Sequence, residues 1–412
     1  MTEPADPWFQ SLFADRIGGS RYGKGTEIYK FEKIKRAKRA ALQAHPERRL
    51  LDFGIGENDD MADPLVRDAL KREADKLENR GYADNGIAAF KEAAAGFMKR
   101  VFGVTLDPAT EVNHAIGSKP ALAMLPAAFI NPGDVTLMTV PGYPVAGTHT
   151  RYFGGEVYKL PLLEENGFYP DLGSIPAEIR RRAKLLVINY PNSPTGAVAT
   201  PQFYRQVIDF AHTNRIVIVQ DAAHSLLSYE QPPSSFLQMD GAGEVGVEVH
   251  SLSKGFNMIG WRIGFVAGHA KIVQAFADIK DNSDSGQFMA IQQAAKTALE
   301  HPEIGDRTRE KYRRRLQKLV TALNKVGFRA RLPGGTYFLY VRAPRACSGR
   351  SFANAEDVSQ FLIQEQSVCC VSWDDAGAYL RFSVTYLAKD ESEEDALMQE
   401  TTERLGALQL QF

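Results

Sequence analysis

The middle of the chain alternates short apolar runs with amphipathic stretches. Runs typical of buried β-strands occupy residues 135–140, 184–189, 216–219, 246–249 and 263–267. Residues 201–214, between two of these runs, carry the spacing of an amphipathic helix. Short strands that are apolar throughout, and are separated by helices, favour a parallel sheet covered by helices on both faces. The pattern therefore predicts an α/β domain with a mostly parallel sheet.

The two ends of the chain follow a different pattern. Before the alternating region, helices are predicted at 29–43, 64–77 and 87–101, with a strand at 50–53. A long helical region at 287–326 is followed by predicted strands at 328–341, 367–372 and 379–384 and by a helix at 352–366. This pattern is typical of a smaller α+β domain. We predict an arm and part of the small domain at 1–60, a large domain at 61–295, and the remaining small domain at 296–412.

Composition excludes several classes of function. The 412 residues include 44% hydrophobic and 24% charged residues and carry a net charge of −1, which offers no electrostatic basis for binding nucleic acid or an anionic membrane. The apolar stretch at 121–130 is far shorter than the ~20 residues of a membrane-spanning helix. Three cysteines, two of them adjacent, form no disulfide framework. With no secretory signal recognised, a cytoplasmic enzyme is expected.

Three residues point to a specific cofactor chemistry. Lys254 directly follows an apolar run, Arg262 lies eight residues further on, and Asp221 ends an earlier run. A lysine for a Schiff base, an acid for a pyridinium nitrogen and a cation for a phosphate are what pyridoxal phosphate requires from a protein. A parallel sheet brings the carboxyl ends of its strands to one edge, so these residues are expected to meet. Taken singly, Lys254 also fits a solvated charge and Asp221 a helix cap.

A phosphate site is predicted around the Arg262 side chain. Ser118 and Lys119 open a predicted helix, where free backbone N–H groups and the helix dipole attract anions. Ser251 and Ser253, next to the lysine, offer hydroxyl groups that would complete a phosphate cup. Simple helix capping explains Ser118 equally well.

Two further segments follow strands. Tyr143, in a Pro-Gly-Tyr-Pro sequence, presents either a core ring or a ring that stacks on a planar cofactor. Residues 189–196, which contain Asn192 and Ser193, are rich in turn-forming types. They predict either a surface turn or a polar lip over a ligand.

The order and spacing of these motifs resemble the fold-type I aminotransferases of the aspartate aminotransferase superfamily. Within that superfamily, residues 29–31, 51–57 and 80–86 make the chain similar to the LL-diaminopimelate aminotransferases. The resemblance implies a seven-stranded type of sheet in the large domain and a small domain built from both chain ends. It also implies pyridoxal 5′-phosphate as cofactor and a homodimer with active sites at the subunit interface.

The resemblance assigns roles to individual residues. Lys254 would hold the cofactor and move protons, Asp221 would pair with the pyridine nitrogen, and Tyr143 would stack on the ring. The other implied cofactor-binding residues are Ser118, Lys119, Asn192, Ser193, His224, Ser251, Ser253, Arg262 and, from the neighbouring subunit, Tyr82. The implied substrate-binding residues are Arg381, Tyr29, Gly56 and Asn192. The planar fork of Arg381 suits a bidentate clamp on the substrate α-carboxylate.

Two positions depart from the family pattern. Ser193 stands where the family usually has asparagine, and His224 stands where it usually has tyrosine. Both positions normally hydrogen-bond the phenolic oxygen of the cofactor. The protonation behaviour of the bound cofactor is therefore expected to differ from that of typical family members.

The implied reaction transfers the amino group of LL-2,6-diaminopimelate to 2-oxoglutarate. A donor that is charged at both ends needs a polar far wall, for which Glu57, Asp84 and Tyr29 are candidates. An aspartate, alanine or aromatic aminotransferase, or a β-lyase on the same scaffold, is the alternative. The glycine-rich residues 18–25 nearly match a nucleotide-binding loop but lack its final hydroxyl and a preceding strand. The scattered histidines predict no metal site.

Overall fold

The computed structural model describes residues 7–24, 30–229 and 232–412, without the side chains of residues 7, 30 and 31. The strands are β1 (Leu51–Asp52), β2 (Val112–Ala115), β3 (Val135–Val140), β4 (Glu156–Pro161), β5 (Ala183–Asn189), β6 (Val217–Asp221), β7 (Gly246–Ser251), β8 (Gly264–Gly268), β9 (Phe338–Arg342), β10 (Ala346–Cys347), β11 (Arg350–Ser351), β12 (Val368–Cys369), β13 (Val371–Trp373), β14 (Tyr379–Ser383) and β15 (Leu410–Gln411).

The α-helices complete the framework. They are α1 (Pro7–Gln10), α2 (Lys30–Ala44), α3 (Pro64–Ala74), α4 (Ala88–Phe102), α5 (Ser118–Phe129), α6 (Val145–Tyr152), α7 (Ala177–Arg182), α8 (Pro201–Asn214), α9 (Ala242–Val245), α10 (Leu252–Gly255), α11 (Ala270–Asp281), α12 (Met289–Glu300), α13 (Glu303–Lys325), α14 (Ala355–Gln366) and α15 (Glu391–Gly406). No helix in the described part of the chain combines the length and apolar character that a membrane crossing needs.

Seven strands form one sheet in the order β2-β8-β7-β6-β5-β3-β4. Strands β3 to β7 all run parallel to one another. Strand β8 runs antiparallel to both of its neighbours, β7 and β2. The register pairs Asn189 with Asp221 and Asp221 with Val249, so the carboxyl ends of β5, β6 and β7 lie close together. This sheet confirms the predicted α/β fold class.

The sheet is buried on both faces because its central strands are apolar at successive positions. In β5, Leu185 packs with α5 and α11 on one face, whereas Leu186 packs with α8 on the other. Each fully buried side chain of this kind contributes roughly 1.5–3 kcal/mol. This double packing holds the strand ends rigidly beside the helices that follow them.

Both ends of the chain contribute to a second, smaller unit. Strand β1 pairs in parallel with β12, and Ile34 and Ala37 of α2 pack against Ile363 of α14. Strands β13, β14 and β9 form an antiparallel sheet, which packs beside α13. The small α+β unit built from both chain ends is thus confirmed, while the residue boundaries 60/61 and 295/296 stay predictions.

Several elements differ from the prediction. The strand predicted at 328–341 begins only at Phe338, because Pro333 and two glycines precede it and Thr336 adopts a left-handed φ of 66°. The helical region predicted at 287–326 is two helices, α12 and α13, separated at Pro302. Strands β2 and β4 were not predicted, since β2 buries polar side chains and β4 alternates irregularly at the sheet edge.

Candidate active site

Asp221 ends β6 in a buried position at the carboxyl edge of the sheet. Its Oδ1 accepts the backbone N–H of Ala223 at 3.1 Å, and its main-chain oxygen accepts the side-chain amide of Asn189 at 2.8 Å. Burial raises the pKa of Asp221 to about 6, against the opposing effects of the Ala223 hydrogen bond and of the nearby His250 and Lys254 side chains. A cation bound next to this carboxylate would relieve the cost of its burial.

Lys254 lies on α10, the short helix that directly follows β7. The side chain of Ser251 begins this helix by accepting the backbone N–H of Ser253. Lys254 Nζ donates to the Gly56 carbonyl at 3.0 Å and lies 5.5 Å from the centre of the Tyr337 ring. The Tyr337 hydroxyl donates to the same carbonyl at 2.7 Å. The predicted lysine therefore faces the chain segment that contains Gly56.

Arg262 lies close to the start of α5, as the phosphate prediction requires. Its Nη1 donates to the Ile259 carbonyl at 2.8 Å and to Ser253 Oγ at 3.4 Å. A Cβ atom at Gly117, the residue before α5, would lie 2.4 Å from Arg262 Nη2. The guanidinium therefore occupies the space that glycine leaves open beside the first turn of the helix.

The main chain of Arg262 is held in an unusual conformation. Its φ is 56°, in the left-handed region that side chains other than glycine seldom adopt. The side-chain amide of Gln287 donates to the carbonyls of Trp261 and Arg262 at 2.7 and 2.8 Å. Ser118, the first residue of α5, directly follows Gly117, whereas the side chain of Lys119 is exposed.

Tyr143 and Asp221 line one small cavity. Its other lining residues include Asn189 and Val187 of β5 and Leu122 of α5. Tyr143 is 43% exposed, so the residue is only partly covered by its neighbours. The structure therefore places the predicted stacking ring near the predicted partner of the pyridine nitrogen.

Asn192 lies on the turn after β5 and is fully buried. Its Oδ1 accepts from the backbone N–H and the hydroxyl of Thr195 at 3.2 and 2.7 Å. Its Nδ2 has no partner among the residues that the structure describes. Ser193 is half-buried, and its backbone N–H donates to Asn189 Oδ1 at 2.8 Å. Buried amide groups normally have hydrogen-bond partners, so this Nδ2 is available to a ligand.

His224 is buried against two aromatic rings. Its ring centre lies 5.2 Å from that of Tyr337 and 5.8 Å from that of Phe338. Burial, followed by the positive charges of Lys254 and Arg381, lowers the pKa of His224 to about 3. The imidazole is therefore neutral near pH 7, and its Nδ1 has no partner within the described ranges.

Arg381 lies in the middle of β14 and is 6% exposed. Its Nη2 donates to the Gly54 carbonyl at 3.0 Å, and its guanidinium lies 4.2 Å from the centre of the Phe338 ring. Burial lowers the pKa of Arg381 to about 10, so the side chain keeps its charge at neutral pH. A Cβ atom at Gly56 would lie 3.9 Å from Arg381 Nη2. Gly56 therefore lies between Arg381 and Lys254.

Other predicted residues lie elsewhere. Tyr82 is 83% exposed, and Asp84 makes its main-chain contacts with Lys280 and Ser285 rather than with Lys254. Glu57 is exposed. The substrate prediction for residue 29, a tyrosine, falls outside the described residues. Roles for residues 82 and 84 stay predictions.

A larger cleft of about 940 Å³ lies apart from this site. Its wall includes Glu164, Phe168 and Tyr340, but neither Lys254 nor Asp221. Tyr340 is register-paired with Arg381 in the small sheet, but neither Arg381 nor Lys254 lines the cleft. We therefore place the candidate active site by its side-chain chemistry and not by cavity size.

Three residues at the site were not predicted from the sequence. Tyr337 and Phe338 contact the segment at Gly56 and the guanidinium of Arg381, and Asn58 donates to the Lys254 carbonyl at 2.7 Å. The two glycines before Tyr337 are the sequence signal that marks a turn into this strand. No local pattern marks Asn58, because its partners lie almost 200 residues away.

The residues present fit pyridoxal 5′-phosphate. The cation Arg262 and the start of α5 form an anion site, the buried Asp221 offers a partner for a pyridine nitrogen, and Lys254 offers an amine for a carbonyl group. Asn192 Nδ2 and His224 Nδ1, both buried and without partners among the described residues, supply further hydrogen-bonding atoms.

Comparisons with known proteins agree with this chemistry. Residues 48–397 match the family model described as aminotransferase class I and II. The chain is 56% identical to an LL-diaminopimelate aminotransferase of Methanocaldococcus jannaschii, over 99% of this chain and 100% of the relative. It is 52% identical to one from Methanococcus maripaludis, with the same coverage. A substrate-bound structure of BacF from Bacillus subtilis superposes with a TM-score of 0.86 at 31% identity, covering 97% of this chain and 98% of that chain.

Proposed function

The chain belongs to the class I and II aminotransferases, and from that premise we propose that it transfers an amino group between LL-2,6-diaminopimelate and 2-oxoglutarate. The 56% identity to an LL-diaminopimelate aminotransferase over the whole length of both chains carries this proposal. The keto product of such a donor cyclises to tetrahydrodipicolinate, which places the enzyme in lysine and peptidoglycan biosynthesis.

Pyridoxal 5′-phosphate, the cofactor of this family, supplies a carbonyl carbon that takes up the amino group and a ring that accepts electrons. Arg262, Ser253 and the first turn of α5 would hold its phosphate. Asp221 would keep a proton on the pyridine nitrogen, because a buried carboxylate gains most from a cationic partner. Tyr143 would cover the ring from the outer side.

Lys254 is the residue that we propose to move the proton at the donor Cα. Its side chain is half-buried, and its amine lies beside Gly56, Tyr337 and the buried His224. As the general base, the amine would take the proton from the donor Cα and hold it at Nζ for the return transfer. His224 is neutral near pH 7, so it adds no charge that opposes this transfer.

Arg381 would hold the α-carboxylate of both substrates in turn. Its Nε has no partner within the described part of the chain, and only Nη2 makes a main-chain hydrogen bond. A carboxylate that accepts two parallel N–H bonds is the preferred partner of such a guanidinium. Because the amino donor and the oxo-acid acceptor would bind the same Arg381 guanidinium, the two half-reactions would follow one another at one site.

We further propose a cytoplasmic homodimer. Tyr82 is almost fully exposed in the single chain, and the family resemblance directs it to the phosphate site of the neighbouring subunit. Asp84 lies two residues after Tyr82. It would likewise reach the site of the neighbouring subunit, where its carboxylate would contact the distal ammonium of a long donor. All three cysteines are buried free thiols, as expected in a reducing compartment.

A panel of amino donors tests the substrate. We expect turnover of LL-diaminopimelate with 2-oxoglutarate, and a much lower rate with meso-diaminopimelate, aspartate, alanine and aromatic amino acids. A site that hydrogen-bonds the distal centre can reject a stereoisomer, whereas buried methylenes alone discriminate by about 1–3 kcal/mol. Strong turnover of aspartate or an aromatic donor, with none of LL-diaminopimelate, would contradict the substrate while leaving the aminotransferase family in place.

Substitution of the lysine tests the site. Lys254→Ala should abolish turnover and the attachment of cofactor that borohydride traps on the wild-type protein. The matched control is Lys71→Ala on α3, where the side chain is exposed and pairs with Asp68. Detection of the trapped cofactor on another lysine by mass spectrometry would show that Lys254 is wrongly assigned.

A further inference from the structure

Residues 54–60, here called the bridging segment, connect Arg381, the predicted substrate-binding residue, with Lys254, the predicted cofactor-binding residue. Its first three carbonyls accept hydrogen bonds in succession. Gly54 accepts from Arg381 Nη2 at 3.0 Å, Ile55 from the Thr385 hydroxyl at 2.9 Å, and Gly56 from Lys254 Nζ at 3.0 Å. The bridging segment therefore sets how Lys254 and Arg381 lie relative to each other.

Asn58 extends this contact to the main chain of Lys254. Its Nδ2 donates to the Lys254 carbonyl at 2.7 Å and to Asn257 Oδ1 at 2.5 Å. The Asn58 side chain is buried. Lys254 is thus contacted by the bridging segment at both its amine and its carbonyl.

Asp59 anchors the bridging segment to α13. Its carboxylate, 4% exposed, accepts from Arg315 Nη1 at 3.0 Å, from Lys311 Nζ at 2.8 Å and from the Tyr312 hydroxyl at 3.0 Å. Arg315 is itself 1% exposed. A buried ion pair that loses one member leaves an uncompensated charge, so replacement of the Asp59 carboxylate should weaken this anchor.

Arg315 has a second carboxylate partner that does not touch the bridging segment. Glu394 of α15 accepts from Arg315 Nε at 2.7 Å, and its other contacts are with Arg314 and Lys318. The pKa of Glu394 is lowered to about 2 by these cations, against the effect of its burial. Asp59 and Glu394 therefore share one buried arginine, but only Asp59 is connected to Lys254.

We propose that Asp59 is a positioning residue for Lys254, acting through the bridging segment; this rests on the role of Lys254 in the proposed function. Loss of the Asp59 charge removes the buried part of the contact with α13 and leaves the pair of Lys311 with the half-exposed Asp60, so residues 56–58 are held less firmly. The Gly56 carbonyl then no longer meets the Lys254 amine, and the amine becomes more reactive towards small electrophiles. Loss of the Glu394 charge weakens the same buried network but leaves the bridging segment in place.

The test compares Asp59→Asn with Glu394→Gln in the full cofactor-free chain. Acetic anhydride labelling with mass spectrometry measures the reactivity of Lys254, normalised to the exposed Lys71. We expect both variants to lower the unfolding midpoint, and only Asp59→Asn to raise Lys254 labelling, about fivefold, as expected when one hydrogen bond is lost. Unchanged labelling in a folded Asp59→Asn, or an equal rise in Glu394→Gln, would overturn the proposal.

A milder variant covers the case in which Asp59→Asn does not fold. Tyr312→Phe removes only the hydroxyl that donates to Asp59 and keeps the fully buried ring. It should raise Lys254 labelling about twofold; no rise would overturn the proposal in the same way. Labelling does not depend on which amino donor is used, so a failed donor panel and a failed positioning role give separate results.

Discussion

Asp221→Asn should stabilise the cofactor-free chain at neutral pH while it removes activity. The substitution keeps the shape of the side chain and an oxygen that can accept the Ala223 N–H. Burial raises the pKa of Asp221 from 3.8 to about 6. This rise in pKa corresponds to about 3 kcal/mol of destabilisation at pH 7, which the neutral amide does not suffer.

The gain should depend on pH in a definite direction. Between about pH 4 and 6 the folded Asp221 holds a proton that the unfolded chain has already lost, so wild-type stability falls as the pH rises through this range. Below about pH 4 the carboxyl is protonated in both states, and the variant should have no advantage of this origin. Above about pH 6 the full difference of about 3 kcal/mol should appear.

Urea unfolding of the cofactor-free protein at several pH values, at one protein concentration, measures this difference. Asp75→Asn, at the exposed end of α3, is the control and should change the free energy of unfolding little at any pH. In the cofactor-loaded enzyme, Asp221→Asn should lower kcat/KM by about 100-fold or more, since a buried charge partner is lost. A stability gain that is independent of pH, or a loss at pH 8, would refute the reasoning.

Three further substitutions test the remaining roles. Arg262→Ala should weaken cofactor binding by about 10- to 100-fold with little change in kcat at saturating cofactor, because a phosphate contact is mostly uniform binding; equilibrium dialysis measures it, and an unchanged affinity would rule out the phosphate role. His224→Tyr should shift the pH titration of the visible absorption band of the holoenzyme, and an identical curve would show that residue 224 does not contact the chromophore. Arg381→Lys should raise the KM of donor and acceptor together by about 10- to 100-fold, because an ammonium cannot make the bidentate pair; steady-state kinetics in which only one KM rises would contradict a shared clamp.

Local pattern was sufficient for the residues at the carboxyl edge of the large sheet. Asp221 and Lys254 follow apolar runs that are buried on both faces, and parallel strands bring such ends to one edge whatever the details of packing. Arg262 could be predicted for a different reason, because it lies close in sequence to Lys254. The strand predicted at 328–341 failed where a proline and two glycines interrupt the main chain.

The sequence by itself determined the α/β fold class and the chemical types gathered at the sheet edge, since both depend on periodicity over a few residues. Only the tertiary structure decided how Arg381, Tyr337 and the bridging segment meet Lys254. The hydrogen bonds of the bridging segment with Lys254, Tyr337 and Arg381 join residues about 200 or more positions apart, as Asp59 and Arg315 do across 256 positions. Hydrogen bonds between distant segments depend on how the two units pack, and no local pattern records that packing.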